Sequence, residues 1–353
     1  MLIYILYFLF IAFFAIEYHF RPFDTTIPIT IIFLLLLFMA GFRSPQVAPD
    51  YEVYSYHFDT IHEIDFKYSL FIMEPGFVFL VKFWRLLASQ NYAFLIMLSF
   101  AFFSLLFKLS IIKKLSINPF LVLLFYFSHY YFLHEMTQIR IGLASSIFFL
   151  GIPFYLRGEN KRYVFIILIA TMFHYSAIFY LFVLLFNRNK FNAYFYFCFL
   201  MISLLFAVKQ FTFFSFLQSF ENTGLRYDVI FKTDGYINIF NFASIVKFLG
   251  GLVCIIFIPK KVLLNNPVFL LSLKGSIFSI FLLTFLSGLP SIAFRISDLF
   301  GILSMFLFAN LICLIPNKKL SIFAMVLLAG CFFYLNVLYT KGFINPYNII
   351  DFK

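Results

Sequence analysis

Apolar stretches long enough to cross a membrane recur along nearly the whole chain, and they limit its fold more than any other feature. The hydrocarbon core of a bilayer is about 30 Å thick, which an α-helix crosses in about 20 residues. Because lipid offers backbone groups no hydrogen-bond partners, each stretch is expected to be helical. The predicted spans are Leu2–Tyr18, Ile27–Phe42, Tyr92–Ile112, Asn118–Leu133, Ile139–Leu156, Tyr163–Phe186, Phe191–Val208, Ala243–Ile258, Val268–Leu289, Asp298–Ile315 and Ser321–Tyr339.

The composition excludes a soluble protein. Of the 353 residues, 63% are hydrophobic and 12% are charged, and the mean hydropathy is +0.99. No stretch is long and polar enough for a separate soluble domain. We therefore predict one integral membrane domain over residues 1–353, an all-α, polytopic helix bundle with roughly ten to twelve transmembrane helices. Its two outer-face loops lie near residues 43–91 and 209–242.

The net charge of +11 indicates topology. In a soluble protein it would suggest nucleic-acid binding, but no nucleic-acid partner is expected here because the basic residues cluster in short connectors between spans. Such connectors stay in the cytoplasm. They are Lys113–Lys114, Arg157–Arg162, Asn187–Lys190, Lys260–Lys261 and Asn317–Lys319. The acidic region between Arg43 and Ser69 is then predicted to face outward.

Two apolar runs do not fit a simple crossing. If Glu74–Gln90 crossed the membrane, the acidic region before it would lie on the same side as Lys113. The apolar residues of Glu74–Gln90 recur at helical spacing. We therefore predict that this run is an interfacial or re-entrant helix. Tyr163–Phe186 has basic connectors at both ends, which predicts a short helical hairpin that turns at Phe173–Ala177. The alternative is a straight span with one basic connector on the outer side.

The sequence carries no signature of a metal, cofactor or nucleotide site, and we predict none. The cysteines Cys198, Cys254, Cys313 and Cys331 fall inside predicted spans without metal-ligand spacing. They are interpreted as apolar core residues, neither disulfides nor zinc ligands. Walker-type and dinucleotide-binding glycine patterns are missing as well.

Four motifs follow one another between Gly41 and Leu185. They are "GFRSPQVAPDYEVYSYHF" (Gly41–Phe58), "EPGFVFL" (Glu74–Leu80), "QIRIGLASSIFFLG" (Gln138–Gly151) and "KRYVFIILIATMFHYSAIFYLFVLL" (Lys161–Leu185). In this order and spacing, the sequence resembles the EpsG-like branch of bacterial Wzy-type polysaccharide (O-antigen) polymerases. The resemblance is strongest from Gly41 to about Leu185, and two later motifs, "TGLRYDVI" from Thr223 and "AFRISDLFG" from Ala293, extend it.

The resemblance implies a multi-pass glycosyltransferase of the bacterial cytoplasmic (inner) membrane. Such an enzyme joins oligosaccharide repeat units, carried on undecaprenyl pyrophosphate, into O-antigen, capsule or exopolysaccharide on the outer face. The growing chain leaves its carrier and is placed on the non-reducing end of a new unit. The implied partners are the lipid-linked oligosaccharide, membrane lipids, and a chain-length regulator and flippase of the same pathway.

That chemistry calls for fixed cations, because a glycosyl group that departs from pyrophosphate leaves negative charge on the leaving oxygen. The planar fork of arginine binds phosphate oxygens bidentately. Four arginines lie at span ends or in loops opposite the lysine clusters, and we predict that they bind pyrophosphate or glycan: Arg43, Arg140, Arg226 and Arg295. The alternative for Arg140 is that it reaches out to lipid headgroups.

The acceptor hydroxyl needs a general base within hydrogen-bond reach. The outer-face carboxylates nearest to the motifs are Asp50, Glu74, Glu135, Asp228 and Asp298, of which Asp50 and then Glu74 are the leading catalytic candidates. His174 lies deep in an apolar run and is the third catalytic candidate. It could act as the base or bind the carrier phosphate. Alternatively, it could form hydrogen bonds with the backbone groups left unpaired at the predicted hairpin turn. Tyr51, Gln138 and Asp228 are predicted to bind substrate.

Two other functions remain open from the sequence. A lipid-linked oligosaccharide flippase would need the same hydrophobicity and the same arginines, but the chain has no clear internal repeat of the kind that transporters show. An O-antigen ligase would share the carrier and the chemistry, but it typically has one dominant outer loop where two are predicted here.

Overall fold

The computed structural model describes residues 1–88, 91–209, 238–340 and 342–350. These residues form helices and no strand, which confirms the all-α class. In chain order the helices are α1 (Leu2–Phe20), α2 (Thr26–Gly41), α3 (Asp50–Glu63), α4 (Phe66–Ile72), α5 (Pro75–Leu87), α6 (Tyr92–Leu115), α7 (Pro119–Phe125), α8 (Ile139–Arg157), α9 (Asn160–Thr171), α10 (Ala193–Lys209), α11 (Phe242–Phe257), α12 (Lys260–Asn265), α13 (Pro267–Phe285), α14 (Pro290–Gly301), α15 (Ser304–Asn310) and α16 (Lys318–Phe333).

Among the described residues, five helices are long and apolar enough to cross a membrane, or up to six if the bent pair formed by α14 and the helical segment up to Leu314 is one span. Four further apolar helices are shorter, α2 among them. The chain is therefore a multi-pass helical membrane protein, but the predicted count of roughly ten to twelve crossings is not confirmed. Several predicted spans are interrupted, as where α7 passes into a π-helix, Tyr126–Thr137.

The helices pack as two compact units. Unit 1 comprises Met1–Leu181 and Ile315–Lys353, and unit 2 comprises Phe182–Leu314. In unit 1, α8 packs against α6 and α9, α6 packs against α2, and α1 packs against α7 and α16. In unit 2, α13 is the central helix, in contact with α10, α11, α14 and α15. The single membrane domain remains a prediction.

Unit 1 carries basic residues at one end. Lys113, near the end of α6, donates to the Thr26 hydroxyl at the start of α2 (2.7 Å). Arg157, the last residue of α8, lines the same cavity as Lys114. The other end of α8 carries Arg140, which an α-helical rise places about 26 Å from Arg157. The positive-inside tendency predicts that the basic end is cytoplasmic and that Arg140 lies near the outer face.

A buried ion pair lies between α6 and the π-helix. Lys108 Nζ donates to Glu135 Oε1 (2.6 Å) and to the Gly142 carbonyl oxygen (2.9 Å). The Ser104 hydroxyl (2.8 Å) and the Tyr126 hydroxyl (2.5 Å) donate to the same carboxylate oxygen. Both charged side chains are essentially inaccessible to solvent. Glu135 therefore belongs to the interior of unit 1 and not to an outer loop.

The predicted outer loop near residues 43–91 is folded into helices, and α5 is the most amphipathic of them. One face buries Phe77, Val78 and Val81, while Phe79 and Leu86 on the other face are exposed. Its 13 residues span only about 20 Å as an α-helix, less than the hydrocarbon core. Such a helix does not cross the membrane by itself, in line with the prediction of an interfacial or re-entrant helix.

Two side chains of α5 fasten it to its neighbours. Arg85 forms an ion pair with Asp59 of α3 (3.1 Å), and the Trp84 indole donates to the Ser99 hydroxyl of α6 (2.8 Å). Helices α3 and α5 together form a cap on unit 1, at the end away from Lys113.

The predicted hairpin is present. Helix α9 ends at Thr171, and a 3-10 helix follows at Tyr175–Leu185, so that His174 lies at the break. The Tyr163 hydroxyl donates to the Tyr180 carbonyl oxygen (2.5 Å), although a straight helix would separate these residues by about 25 Å. The run folds back on itself and returns to the side where it began.

The last described segment of the chain packs against the loop that follows α2. The Ser44 N–H donates to the Asn348 carbonyl (2.8 Å), and the Asn345 N–H donates to the Val47 carbonyl (3.0 Å). An isolated antiparallel bridge joins Arg43 to the same segment. This segment therefore holds the backbone around Arg43 in place.

In unit 2, lysine side chains also lie in the interior. Lys274 of α13 is buried and donates to the Lys190 carbonyl (2.7 Å) in the connector before α10. Lys247 of α11 is buried with its Nζ 3.4 Å from the Ser279 hydroxyl. These contacts tie α10 and α11 to α13.

Candidate functional site

Three predicted site residues meet in unit 1. Arg140 Nη1 lies 2.6 Å from Glu74 Oε2, and His174 Nδ1 lies 3.0 Å from Glu74 Oε1. Glu74 is 66 positions from Arg140 and 100 from His174, so only tertiary packing brings them together. The carboxylate thus holds a guanidinium with one oxygen and an imidazole with the other. We call these three residues the Arg–Glu–His cluster.

Breaks between helices place each member of the cluster. Glu74 is the residue before α5, and Pro75 follows it at the first helical position, where a missing N–H costs nothing. Gln138 separates the π-helix from α8, so that Arg140 lies in the first turn of α8. His174 occupies the turn of the hairpin.

Gly76 allows α5 to dock on the hairpin turn. Its N–H donates to the Met172 carbonyl (2.7 Å). A Cβ atom at this position would lie 2.8 Å from the Phe173 ring and 2.9 Å from the Met172 carbonyl oxygen. Because the latter is a backbone atom, the clash is not relieved by a change of rotamer.

Replacement of Gly76 by alanine is expected to push α5 away from the hairpin and to lower the free energy of unfolding by about 1 to 3 kcal/mol, as overpacking does. Thermal unfolding of the purified protein in detergent measures the effect. Gly330→Ala in α16 is a matched control, because a Cβ atom there would meet only the Phe8 ring, at 3.7 Å. Equal unfolding temperatures for the two variants would contradict the prediction.

The surroundings of Glu74 determine its charge. Burial raises the pKa of the Glu74 carboxyl, but the hydrogen bond from His174 and the charge of Arg140 outweigh it, so the pKa falls from 4.5 to about 2. Glu74 therefore stays ionised at physiological pH, and its stabilising effect, complete above pH 4.5, is lost only as the pH falls toward 2. Such a carboxylate is a weak proton acceptor and is better suited to orient His174 than to act as the base itself.

Arg140 is held by Glu74 but remains accessible. Its guanidinium lies 5.9 Å from the centre of the Tyr54 ring and 5.6 Å from that of Phe77, within cation–π range. The side chain is 24% exposed, compared with 5% for Glu74. Part of the fork can therefore reach a ligand while the rest keeps its ion pair.

Arg43 lies next to this region but is closed off. It is 1% exposed, donates to the Ala40 carbonyl oxygen and lies 5.7 Å from the centre of the Tyr51 ring. No carboxylate of the described residues lies within ion-pair distance of Arg43. Tyr51 and Tyr54 are one turn apart on α3, so one helix covers both Arg43 and Arg140.

The other predicted site residues are not in the Arg–Glu–His cluster. Asp50, at the start of α3, and Gln138, just before α8, are both partly exposed. Arg295 is exposed on α14 of unit 2, and Asp298 is one turn further along that helix. Arg226 and Asp228 lie outside the described residues. The predicted substrate and catalytic roles of all these residues remain predictions.

Sequence reasoning missed the aromatic contacts of Arg140 and the buried ion pair between Lys108 and Glu135. Tyr54 and Phe77 lie inside the family motifs, but nothing in their spacing connects them to Arg140. Lys108 carried a usable signal, because a lysine within an apolar span is costly unless it is paired. A lysine in such a position predicts a buried acidic partner, which in the structure is Glu135.

The fold and the cluster define a multi-pass helical membrane protein with a largely buried Arg–Glu–His cluster under a cap of two short helices. The EpsG family model matches residues 26–349. The chain therefore belongs to the EpsG family, which confirms the resemblance found in the sequence. Neither a curated protein nor a solved structure matches the chain. Family membership and the membrane helices together fit a membrane protein of polysaccharide biosynthesis.

Proposed function

We propose that this protein is a Wzy-type polysaccharide polymerase of the bacterial cytoplasmic membrane. Its donor is a glycan chain on undecaprenyl pyrophosphate, and its acceptor is the non-reducing end of a new lipid-linked repeat unit. The product is O-antigen, capsule or exopolysaccharide. The observation that carries the proposal is the Arg–Glu–His cluster, found in a member of the EpsG family.

The position of the cluster supports the proposal. It lies at the start of α8, about 26 Å from the basic end of the same helix by the rise of an α-helix. If the basic end is cytoplasmic, the cluster lies near the outer interface, at the level of a carrier pyrophosphate. Helices α3 and α5 would separate it from bulk water.

The cluster contains the groups that the transfer requires. The acceptor hydroxyl oxygen attacks the anomeric carbon of the donor, the bond from that carbon to the pyrophosphate oxygen breaks, and its electron pair stays on the leaving oxygen. Arg140 stabilises the resulting negative charge without any proton transfer. The hydroxyl proton passes to His174 and then to water.

Glu74 determines which nitrogen of His174 accepts the proton. Because Nδ1 faces the Glu74 carboxylate at 3.0 Å, it carries the hydrogen that donates to this oxygen, and Nε2 is left as the acceptor. The carboxylate also stabilises the imidazolium that forms. Glu74 thus positions both Arg140 and His174.

The glycan profile of a strain that lacks this protein tests the function. Loss of a polymerase is expected to leave single repeat units attached to the final acceptor, so a ladder of long chains collapses to one band on gel electrophoresis. Restoring the gene is the control and should restore the ladder. A complete loss of surface glycan, without single units, would instead indicate a flippase or a ligase.

A further inference from the structure

A large apolar cavity opens beside the Arg–Glu–His cluster, and the proposed reaction does not use it. Its volume is about 660 Å³. One face of α8 forms its floor through residues in successive turns, with α6 and α9 on either side and α5 at one end. The floor residues are Leu143, Ile147, Leu150 and Phe154. We call this cavity the groove.

The groove ends at residues that adjoin the cluster along the chain. Phe173, which lines the groove, is the residue before His174. Leu143, the first floor residue, follows Arg140 by one helical turn. A molecule in the groove would therefore have one end near the hairpin turn that carries His174 and near the first turn of α8, which carries Arg140.

The groove is long enough to run through most of the hydrocarbon core of a membrane. From Leu143 to Arg157, which lines the far end together with Lys114, α8 rises about 21 Å. This is roughly two-thirds of a hydrocarbon core of about 30 Å. Phe79 (61% exposed) and Phe103 (39% exposed) lie along its rim. A flexible chain can therefore enter sideways from the bilayer.

We propose that the groove binds the polyisoprenoid tail of the lipid carrier while the pyrophosphate lies at Arg140. The identity of the carrier rests on the proposed function. A ligand with an anionic head and a long apolar tail suits this arrangement, because apolar side chains line the groove and the partly accessible Arg140 lies one helical turn beyond the first floor residue. The bound tail would fix the depth and direction of the pyrophosphate and so hold the anomeric carbon opposite His174.

Donors that differ only in tail length test the groove. The full-length protein in lipid nanodiscs is assayed with the same glycan on undecaprenyl and on geranyl pyrophosphate. Ile147→Trp and Leu150→Trp fill the groove. Each is expected to lower the ratio of kcat/KM for the undecaprenyl donor to that for the geranyl donor at least about tenfold, the factor for lost burial of about two methylene groups.

The ratio of the two kcat/KM values does not depend on the amount of folded protein. Leu150 is partly exposed, so at least the Leu150→Trp variant should fold. Leu106→Trp is the matched control, because Leu106 is 40% exposed on α6 and does not line the groove. It should keep the wild-type ratio. Wild-type ratios in both groove variants would overturn the inference.

Photo-cross-linking tests the groove independently of activity. A diazirine on the tail of undecaprenyl phosphate is expected to label α8 between Leu143 and Arg157, and unlabelled undecaprenyl phosphate should compete better than phosphatidylglycerol. Equal competition would mean that the groove is a general acyl-chain site, and labelling elsewhere would also overturn the inference. Specific labelling of a protein that transfers sugar from neither donor would refute the proposed function but leave the groove intact.

Discussion

Arg140→Ala is expected to reduce polymerisation at least about a hundredfold, the scale of the loss when one preorganised charge stabiliser is removed. Arg140 is the accessible cation of the cluster, and an alanine would leave the charge on the departing pyrophosphate without it. The measurement is gel electrophoresis of surface glycan in a null strain that carries the variant. Protein level in the same membranes has to be checked, because the change also leaves Glu74 with one fewer partner.

Two further variants test the role of Arg140. Arg140→Lys should recover only part of the activity, because an ammonium group keeps the charge but lacks the planar fork. Arg162→Ala removes an exposed arginine that pairs with Glu159 in a connector and should leave the glycan ladder unchanged. A full ladder from Arg140→Ala at normal protein level would make Arg140 a headgroup anchor, and the phosphate role would pass to Arg226 or Arg295.

Lys108→Met is expected to lower the free energy of unfolding by about 3 to 5 kcal/mol, the usual cost of leaving one charge of a buried pair unpaired. Methionine fills a similar volume, so the loss comes from Glu135, which keeps Ser104 and Tyr126 as hydrogen-bond donors but loses its counter-ion. Thermal unfolding and the monodisperse fraction after purification measure the effect.

The second half of this experiment separates charge from packing. Lys108→Met combined with Glu135→Gln removes both charges and should recover much of the lost stability. Lys113→Met, at the exposed end of the same helix, should change stability by less than about 0.5 kcal/mol. If Lys108→Met unfolds at the wild-type temperature, the ion pair does not hold α6 to the π-helix.

The sequence predicts much of the local structure of unit 1. Basic connectors on both sides of one apolar run are compatible with a hairpin, and the structure has one that turns at His174. The apolar periodicity of Glu74–Gln90 similarly predicts a short amphipathic helix. Both inferences succeed because they depend on charge and spacing within a single segment.

The number of membrane crossings and the pairing of charges could not be predicted in the same way. An apolar run shows that a segment is buried but not where its helix bends or widens, as in the passage from α7 to the π-helix. Likewise, Glu74, Arg140 and His174 were each recognised as candidates, but their contact depends on how α5, α8 and the hairpin pack. Lys108 and Glu135 find each other only in the folded unit.

The contacts around Arg43 include residues that are synthesised late, such as Asn345. Chains enter the membrane from the N-terminus as they are made, but the Gln46 carbonyl is bound by the side chain of Asn345, which is 299 positions later (2.7 Å). Contacts of such high sequence separation form slowly, because a long loop has to close first. We therefore expect the ribosome-bound intermediate to lack the contacts between the backbone around Arg43 and the segment around Asn345. The docking of that segment should be a late step in biogenesis.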